Sequence, residues 1–292
     1  ANVVTYNRKD LLKECLNSLL AQTRKPDSIV IVDNNSNDGT KEMLEKEFLD
    51  NPIFDYVRLN ENTGSAGGQY TGIKRAYEKG FDWVWCMDDD VEPQKNCLEN
   101  LIKYKNLKKA AVLYPLRLWE NDKTPFLVEP KKLNLTKPFR KLHLNIITEK
   151  DIAKKYLRIE GFTFEGPLIK TEIIKKIGLP DKTKFILYDD TDYAIRIKKL
   201  YNIYMVTSAH LFRKIRNHKN SFSWKDYYDF RNRLIIYKDY ASIYVKLLKL
   251  PVLICFRIVK NAYPFKKLKI TIRSIYDAQF NRDKIYLPEE IM

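Results

Sequence analysis

The feature that most constrains this 292-residue chain is a rhythm in its first third, where short apolar runs alternate with longer stretches of helical spacing. Val3-Val4-Thr5 reads as the end of a strand, and Leu11, Leu12, Cys15, Leu16, Leu19 and Leu20 then recur at helical intervals before Pro26. Ile29-Val30-Ile31-Val32-Asp33 is a continuous apolar strand, followed by turn residues and a helix from Thr40 to about Phe48. Tyr56-Val57-Arg58-Leu59, a helix around Gln69 to Lys79, and the strand Trp83-Val84-Trp85-Cys86-Met87 complete the series. Such alternation predicts an α/β fold built from βαβ units, with a mostly parallel sheet covered by helices. Ligands of these sheets bind at the carboxyl ends of the strands. Here those ends carry Thr5 and Asn7, Asp33, Asn62, and the triplet Asp88-Asp89-Asp90. Four polar ends on one edge point to a site more strongly than any one of them.

Beyond this region the pattern weakens. Residues from about Leu116 to Leu157 read as a loop-rich basic insertion, and strand and helix signals resume from Leu168 to about Val206. The formal net charge is +16, from 53 Lys+Arg against 37 Asp+Glu, which calls for a polyanionic partner. Much of the excess lies in one place. Between Asp239 and Asp277 there is no acidic residue, while Lys246, Lys249, Arg257, Lys260, Lys266, Lys267, Lys269 and Arg273 interleave with Ile243, Leu247, Leu248, Val252, Leu253, Phe256 and Ile258. That mixture describes a helix lying on an anionic membrane surface; a helix packed on the rest of the chain with a solvated basic face is the plainer alternative. No run of 18 apolar residues exists, and no leader-like segment is visible. Four scattered cysteines without C-x-x-C spacing fit a reducing compartment. The expected location is cytoplasmic, peripheral to the inner face of the cell membrane.

Three segments carry chemistry. Adjacent carboxylates after a buried strand repel one another, so Asp88-Asp89-Asp90 needs a cation or special hydrogen bonding. Mg²⁺ and Mn²⁺ prefer such hard oxygen ligands. On an extended chain Asp88 and Asp90 share a side while Asp89 points elsewhere; a solvated acidic turn is the bland alternative. Asn62-Thr63-Gly64-Ser65-Ala66-Gly67-Gly68 allows close backbone approach to a ligand before a helix N-terminus, or is an ordinary helix cap. It matches neither the P-loop nor the dinucleotide fingerprint. Asp189-Asp190-Thr191-Asp192 opens a helix, where capping explains the acids and a general base is the functional alternative. Of the three histidines, His210 and His218 follow the strand Ile203–Val206, within reach of a metal at the triplet.

Val4-Thr5-Tyr6-Asn7-Arg8, Val32-Asp33-Asn34-Asn35-Ser36, the 62–68 glycine segment and the triplet occur in an order that resembles the inverting family 2 glycosyltransferases of the GT-A fold. The resemblance covers roughly residues 1–235, with a nucleotide-sugar half of about 1–115, an acceptor half of about 116–235, and a basic helical region at 236–292. Asp82-Trp83-Val84-Trp85 running into the triplet looks most like bacterial galactofuranosyltransferases, with rhamnosyltransferases as close relatives. The resemblance implies transfer of galactofuranose from UDP-galactofuranose, or of rhamnose from dTDP-rhamnose, onto a glycan or lipid-linked acceptor. It implies that Thr5, Asn7 and Asp33 hold uridine, and that Asn62 and Gly64 lie near the ribose and diphosphate. Asp88 and Asp90 would bind Mn²⁺ or Mg²⁺, and Asp89 the donor sugar. Glu165, Gly166 and Asp189 would face the acceptor, and Asp190 would be the base. One position departs: the family's metal histidine falls on Arg213, so His210 or His218 substitutes, with His218 favoured, or Arg213 itself neutralises the diphosphate. Two other classes remain. A nucleic-acid-binding protein would explain the charge but not an acidic cleft, and a non-catalytic relative would not keep both acid clusters.

Overall fold

A computed structural model describes residues 1–216 and 222–291. The expected rhythm is present as β1 (Asn2–Thr5), α1 (Lys9–Leu20), β2 (Ile29–Asp33), α2 (Thr40–Glu47), β3 (Phe54–Arg58), α3 (Gly64–Glu78) and β4 (Trp83–Asp88). Then come β5 (Val91–Pro93), α4 (Cys97–Ile102), β6 (Ala110–Trp119), β7 (Pro130–Leu133), β8 (His143–Ile146), α5 (Glu149–Ile152), β9 (Tyr156–Ile159) and β10 (Leu168–Lys170). The chain continues through α6 (Ile174–Ile177), α7 (Asp189–Lys198), β11 (Asn202–Arg213) and α8 (Lys225–Tyr240) to α9 (Leu250–Lys260), α10 (Phe265–Phe280) and α11 (Pro288–Ile291).

The central sheet has nine strands in the order β3-β2-β1-β4-β10-β6-β11-β5, with β9 added on β11. β3, β2, β1 and β4 are parallel, as are β6 and β11. β10 runs antiparallel to both of its neighbours, and β5 and β9 run antiparallel to β11, so the second half of the sheet is mixed. Helices cover both faces, and β4 shows why its sequence is apolar throughout. Val84 and Cys86 pack with Ile73 and Ala76 of α3, while Trp85 and Met87 point the other way, toward Leu12, Leu16 and Leu19 of α1. The expected loop-rich stretch holds more structure than its sequence suggested. β6 is buried almost to its end at Trp119, β7 and β8 pair as a separate hairpin, and Thr148 and Asp151 form a capping box on α5.

The glycine segment folds for reasons internal to the protein. Gly64 has a positive φ of 71°, and a Cβ there would overlap the Phe185 carbonyl oxygen. At Gly68 a Cβ would overlap Val4, so α3 lies directly on β1. Close approach was expected toward a ligand; the structure puts much of it between α3, β1 and the 185 segment.

Helix α8 ties the molecule together. Arg231, fully buried, donates to the carbonyls of Thr183 at 2.5 Å, Lys284 at 2.9 Å and Arg282 at 3.0 Å. The Asn232 amide nitrogen lies within 3.0 Å of the carbonyls of Lys184, Ile186 and Leu187. Stacking of Phe185 on Tyr228, with centroids 4.9 Å apart, completes the clamp. This segment carries three left-handed residues, Phe185, Leu187 and Tyr188, and runs directly into Asp189. Residue 235, the expected end of the acceptor half, lies inside α8. Replacing the amide by an apolar group of similar size, Asn232→Leu, leaves these carbonyls without their donor. It is expected to lower the unfolding free energy by about 2–4 kcal/mol, read as a lower urea midpoint at unchanged m; an unchanged midpoint would mean that the segment is held by other contacts.

Candidate functional site

A cleft of about 440 Å³ opens at the carboxyl ends of β1 and β4. One wall carries Thr5, Arg8, Asn62, Gly64 and the triplet; the other carries Glu165, Asp189, Asp190 and Arg213. Phe185, Trp224, Lys225 and Pro288 close the end nearest α8. Asp189 and Asp190 therefore come from the start of α7 to face an acid cluster a hundred residues away in sequence.

The strand β4 ends at Asp88 and Asp89-Asp90 form the turn into β5; Asp89 is buried, and Asp88 and Asp90 are partly exposed to the cleft. Asp89 accepts from the Thr5 hydroxyl at 2.8 Å and from Arg8 at 3.1 Å, and Arg8 also reaches Asp90 at 3.2 Å. Among the described residues the Asp88 carboxylate has one weak partner, the Gln69 amide at 3.4 Å, itself held by Asn2. Burial, with the negative charges of Asp90, Glu165, Asp89 and Asp189 added, holds the Asp88 carboxyl well above the usual range. Asp90 is raised by burial and Glu165, against the opposing pull of Arg8 and Arg213. Asp89 is pushed up to about 6, chiefly by burial. Across the cleft burial raises both Asp189 and Asp190, with the charge of Asp190 added at the first and that of Glu165 at the second. Asp190 Oδ1 accepts from the Thr191 backbone N–H at 2.5 Å and from its hydroxyl at 3.1 Å. These bonds favour the ionised form of Asp190 against its burial.

Among the described residues no group of three or more His, Cys, Asp and Glu side chains is arranged to hold a metal. Two carboxylates, Asp88 and Asp90, nevertheless face the cleft with their charge poorly compensated. Hard divalent ions use one or two carboxylates and complete their shell with water and phosphate oxygens, so the donor set fits Mg²⁺ or Mn²⁺.

Other expected residues are distributed unevenly. Asn62 accepts from the Gly64 N–H at 2.9 Å and shapes the cleft wall. Asp33 and Asn7 lie outside the lining: Asp33 is fully buried and accepts from Ser36 N–H and the Tyr56 hydroxyl, both at 2.8 Å. Asn7 is exposed and accepts from the Asn37 N–H. Gly166 packs behind the cleft, where a Cβ would press on Pro115 and its carbonyl accepts from Trp85. His210 lies in β11 with its ring on the Thr207 carbonyl, outside the lining. His218 lies outside the described residues.

Arg213 is in the cleft, and its surroundings were not legible from its neighbours in sequence. Glu165 binds it at 2.6 Å, and the rings of Phe126 and Trp119 lie 4.5 and 5.0 Å from its guanidinium carbon. Behind Glu165 stands buried Arg117, paired with both Glu165 and Glu129. Arg8 was visible within a motif but had no role assigned. Trp224, Lys225 and Pro288 gave no signal, because only the path of α8 and α11 brings them to the cleft.

The glycosyl transferase family 2 model matches residues 2–178. Galactofuranosyltransferase GlfT1 of Mycobacterium tuberculosis is 32% identical over 200 residues, covering 68% of this chain and 63% of the relative. The dTDP-rhamnosyl transferase RfbF of Shigella flexneri is 28% identical over 203 residues, covering 67% of this chain and 62% of that one. The chain thus spans less than two thirds of the length of these curated relatives. A crystal structure of GalNAc-T7 with UDP, GalNAc and Mn²⁺ superposes with a TM-score of 0.67 at 14% identity, covering 97% of this chain and 56% of that one, which shows a shared fold.

The raised carboxyls give a pH signature. A carboxyl whose folded-state pKa exceeds its unfolded value stabilises the fold while protonated, and for Asp89 that contribution is lost as pH rises from 3.8 through about 6. A divalent cation competes with those protons, so Mn²⁺ should raise Tm by several degrees at pH 8 and by little at pH 5. Calorimetry showing an equal rise at both pH values would remove the triplet as the cation's site.

Proposed function

The chain belongs to glycosyl transferase family 2, and we propose that it is an inverting, metal-dependent enzyme that moves galactofuranose from UDP-galactofuranose onto a cell-surface glycan or lipid-linked acceptor. The observation that carries this reading is the pair of separate carboxylate clusters facing each other across one cleft. The sugar is suggested by similarity to galactofuranosyltransferase GlfT1.

In this mechanism Asp190 takes the proton of the acceptor hydroxyl. Both Thr191 bonds fall on Oδ1, so the carboxylate is oriented and Oδ2 has no partner among the described residues. The acceptor oxygen attacks the anomeric carbon, the bond from that carbon to the diphosphate oxygen breaks, and the configuration inverts. Asp190 is suited to this role because the Thr191 bonds favour its ionised form and fix its orientation. Thr5, Asn62 and Gly64 line the donor wall, and Asp89, fixed by Thr5 and Arg8, faces the donor sugar. Asn7 acts on uridine from the rim, and buried Asp33 positions it by accepting from the N–H of Ser36, whose hydroxyl accepts from the Asn7 N–H. Bound at Asp88 and Asp90, Mn²⁺ or Mg²⁺ would supply positive charge to the diphosphate. Arg213, held by Glu165, adds a fixed cation, and Glu165, Gly166 and Asp189 shape the acceptor side.

We assign residues 1–115 to the donor half, 116–235 to the acceptor half and 236–292 to membrane attachment. No helix among the described residues is long and apolar enough to cross a membrane. Attachment would be peripheral, each basic residue near an anionic leaflet contributing about 1 kcal/mol, with the protein on the cytoplasmic face.

Removing the base without changing its shape, Asp190→Asn, should cut transfer by about 10²–10⁴-fold while UDP affinity by calorimetry stays constant; normal turnover would reassign the base. Asp90→Asn should weaken Mn²⁺ affinity by about tenfold or more, and full activity in EDTA would end the metal's role. A donor panel of UDP-galactofuranose, UDP-galactose and dTDP-rhamnose, read by mass spectrometry, should give product with the first. Product from dTDP-rhamnose alone would favour the rhamnosyl reading, which similarity to RfbF keeps open.

A further inference from the structure

Helix α9 carries two apolar stripes, yet none of its side chains is buried. Leu250, Ile254 and Ile258 face α8 and α10, while Val252, Phe256 and Val259 stand 66%, 66% and 74% exposed on another side. A helix apolar over most of its circumference belongs in apolar surroundings, and protein covers neither stripe fully. Between α8, α9 and α10 runs an open groove of about 580 Å³. Leu234 of α8, Ile254 and Ile258 of α9, and Ile272 and Ile275 of α10 make its walls, with Lys238 at the edge. Its size is that of a small-ligand site.

Charge selects the occupant. Residues 241–276 carry eight Lys and Arg and no Asp or Glu. Arg257 and Arg273 have carboxylate partners in Asp226 and Asp277; the six lysines have none among the described residues. A second copy of the chain seated on this face would bring two such basic surfaces together, and lysine is depleted at interface cores. A phosphate-bearing lipid satisfies both features, its chain meeting the groove and its headgroup the lysines. Position adds a reason. Trp224 and Lys225, where α8 begins, line the cleft, and Leu234 lines the groove. Ten helical residues at 1.5 Å each place the two about 15 Å apart along α8.

We infer that the α8–α9–α10 groove binds the hydrocarbon chain of an anionic, phosphate-linked lipid acceptor, whose glycan then extends along α8 toward Asp190. The outer stripe of α9 rests on the bilayer and the inner stripe receives one chain drawn from it. This rests on the transferase reading above and narrows its acceptor to a lipid-linked one.

The test irradiates the full chain with a diazirine-bearing hexadecyl phosphate, kept below its aggregation concentration, and maps labelled peptides by mass spectrometry. Labels are expected within 250–258 and 272–280. Ile254→Trp, which fills the groove, should weaken labelling about tenfold or more and keep binding to phosphatidylglycerol vesicles. Phe256→Ser, on the outer stripe, should do the reverse. If Ile254→Trp fails to fold, the surface change Lys238→Glu should still weaken labelling at unchanged circular dichroism. Excess isoprenyl phosphate should displace the probe better than excess phosphatidylglycerol. Labels confined to the outer stripe, an Ile254→Trp variant labelled like the parent, or better displacement by phosphatidylglycerol each overturn the inference. So does a dimer abolished by Ile254→Trp, which would make a second copy the occupant. UDP binding on the same samples separates the two readings: its absence in the parent strikes the transferase proposal, whatever the groove does.

Discussion

Six carboxylates line one cleft, and their mutual repulsion is the constraint that the surrounding structure answers. Two like charges about 4 Å apart repel by about 4 kcal/mol at an effective dielectric of 20, more than a typical hydrogen bond returns. Against Asp88, Asp89, Asp90, Glu165, Asp189 and Asp190 the lining sets Arg8, Arg213 and Lys225. The compensation is local and unequal. Glu165, held between Arg117 and Arg213, is pulled below the usual carboxylate range despite its burial. Among the described residues the Asp88 carboxylate has only the Gln69 amide as a partner, and it is driven well above its usual range. On the triplet's side the least compensated charge is that of Asp88, beside Asp90, which shares Arg8 with Asp89; a divalent cation there would relieve it.

Holding the second cluster in place is a matter of backbone rather than charge. Three left-handed residues in a short segment cost of order 1–3 kcal/mol each and persist only if their surroundings over-determine them. Arg231 and Asn232 do this by occupying carbonyls on both sides of α8, so the loop that presents Asp189 and Asp190 is fastened to the same residues that fasten the 282–286 segment. Tyr228 repeats the pattern, stacking on Phe185 while its hydroxyl bonds the backbone of Tyr286. The C-terminal helices are thus structurally continuous with the acid pair.

Much of this was readable before any coordinates, and the reason is periodicity. Strands buried on both faces must be apolar throughout, as β2 and β4 are, and the polar residues that follow them must lie at one edge. That placed Thr5, Asn62 and the triplet correctly. Asp33 and Asn7 show the limit: a polar residue at a strand end can turn toward its own loop, as both do here. The antiparallel direction of β10 was not legible, because three residues carry no record of direction. Arg213 was named from its position, but Arg117, Glu129 and the pairing of Arg213 with Glu165 were illegible because their meaning is pairwise, and most of the pairs lie far apart in sequence. Trp224 and Pro288 depend on how helices cross, which hydrophobic spacing does not encode.

The contact between Gly64 and Phe185 bears on how such a protein could be recombined. The Ala66 N–H donates to the Phe185 carbonyl at 3.0 Å, across a gap that admits no side chain at residue 64. A loop from the first half and a loop from the second are therefore fitted as one joint, with less than a methyl group of tolerance. A chimera that replaces the segment around Phe185 would have to keep the fit to that joint, so the two loops can be exchanged only as a matched set.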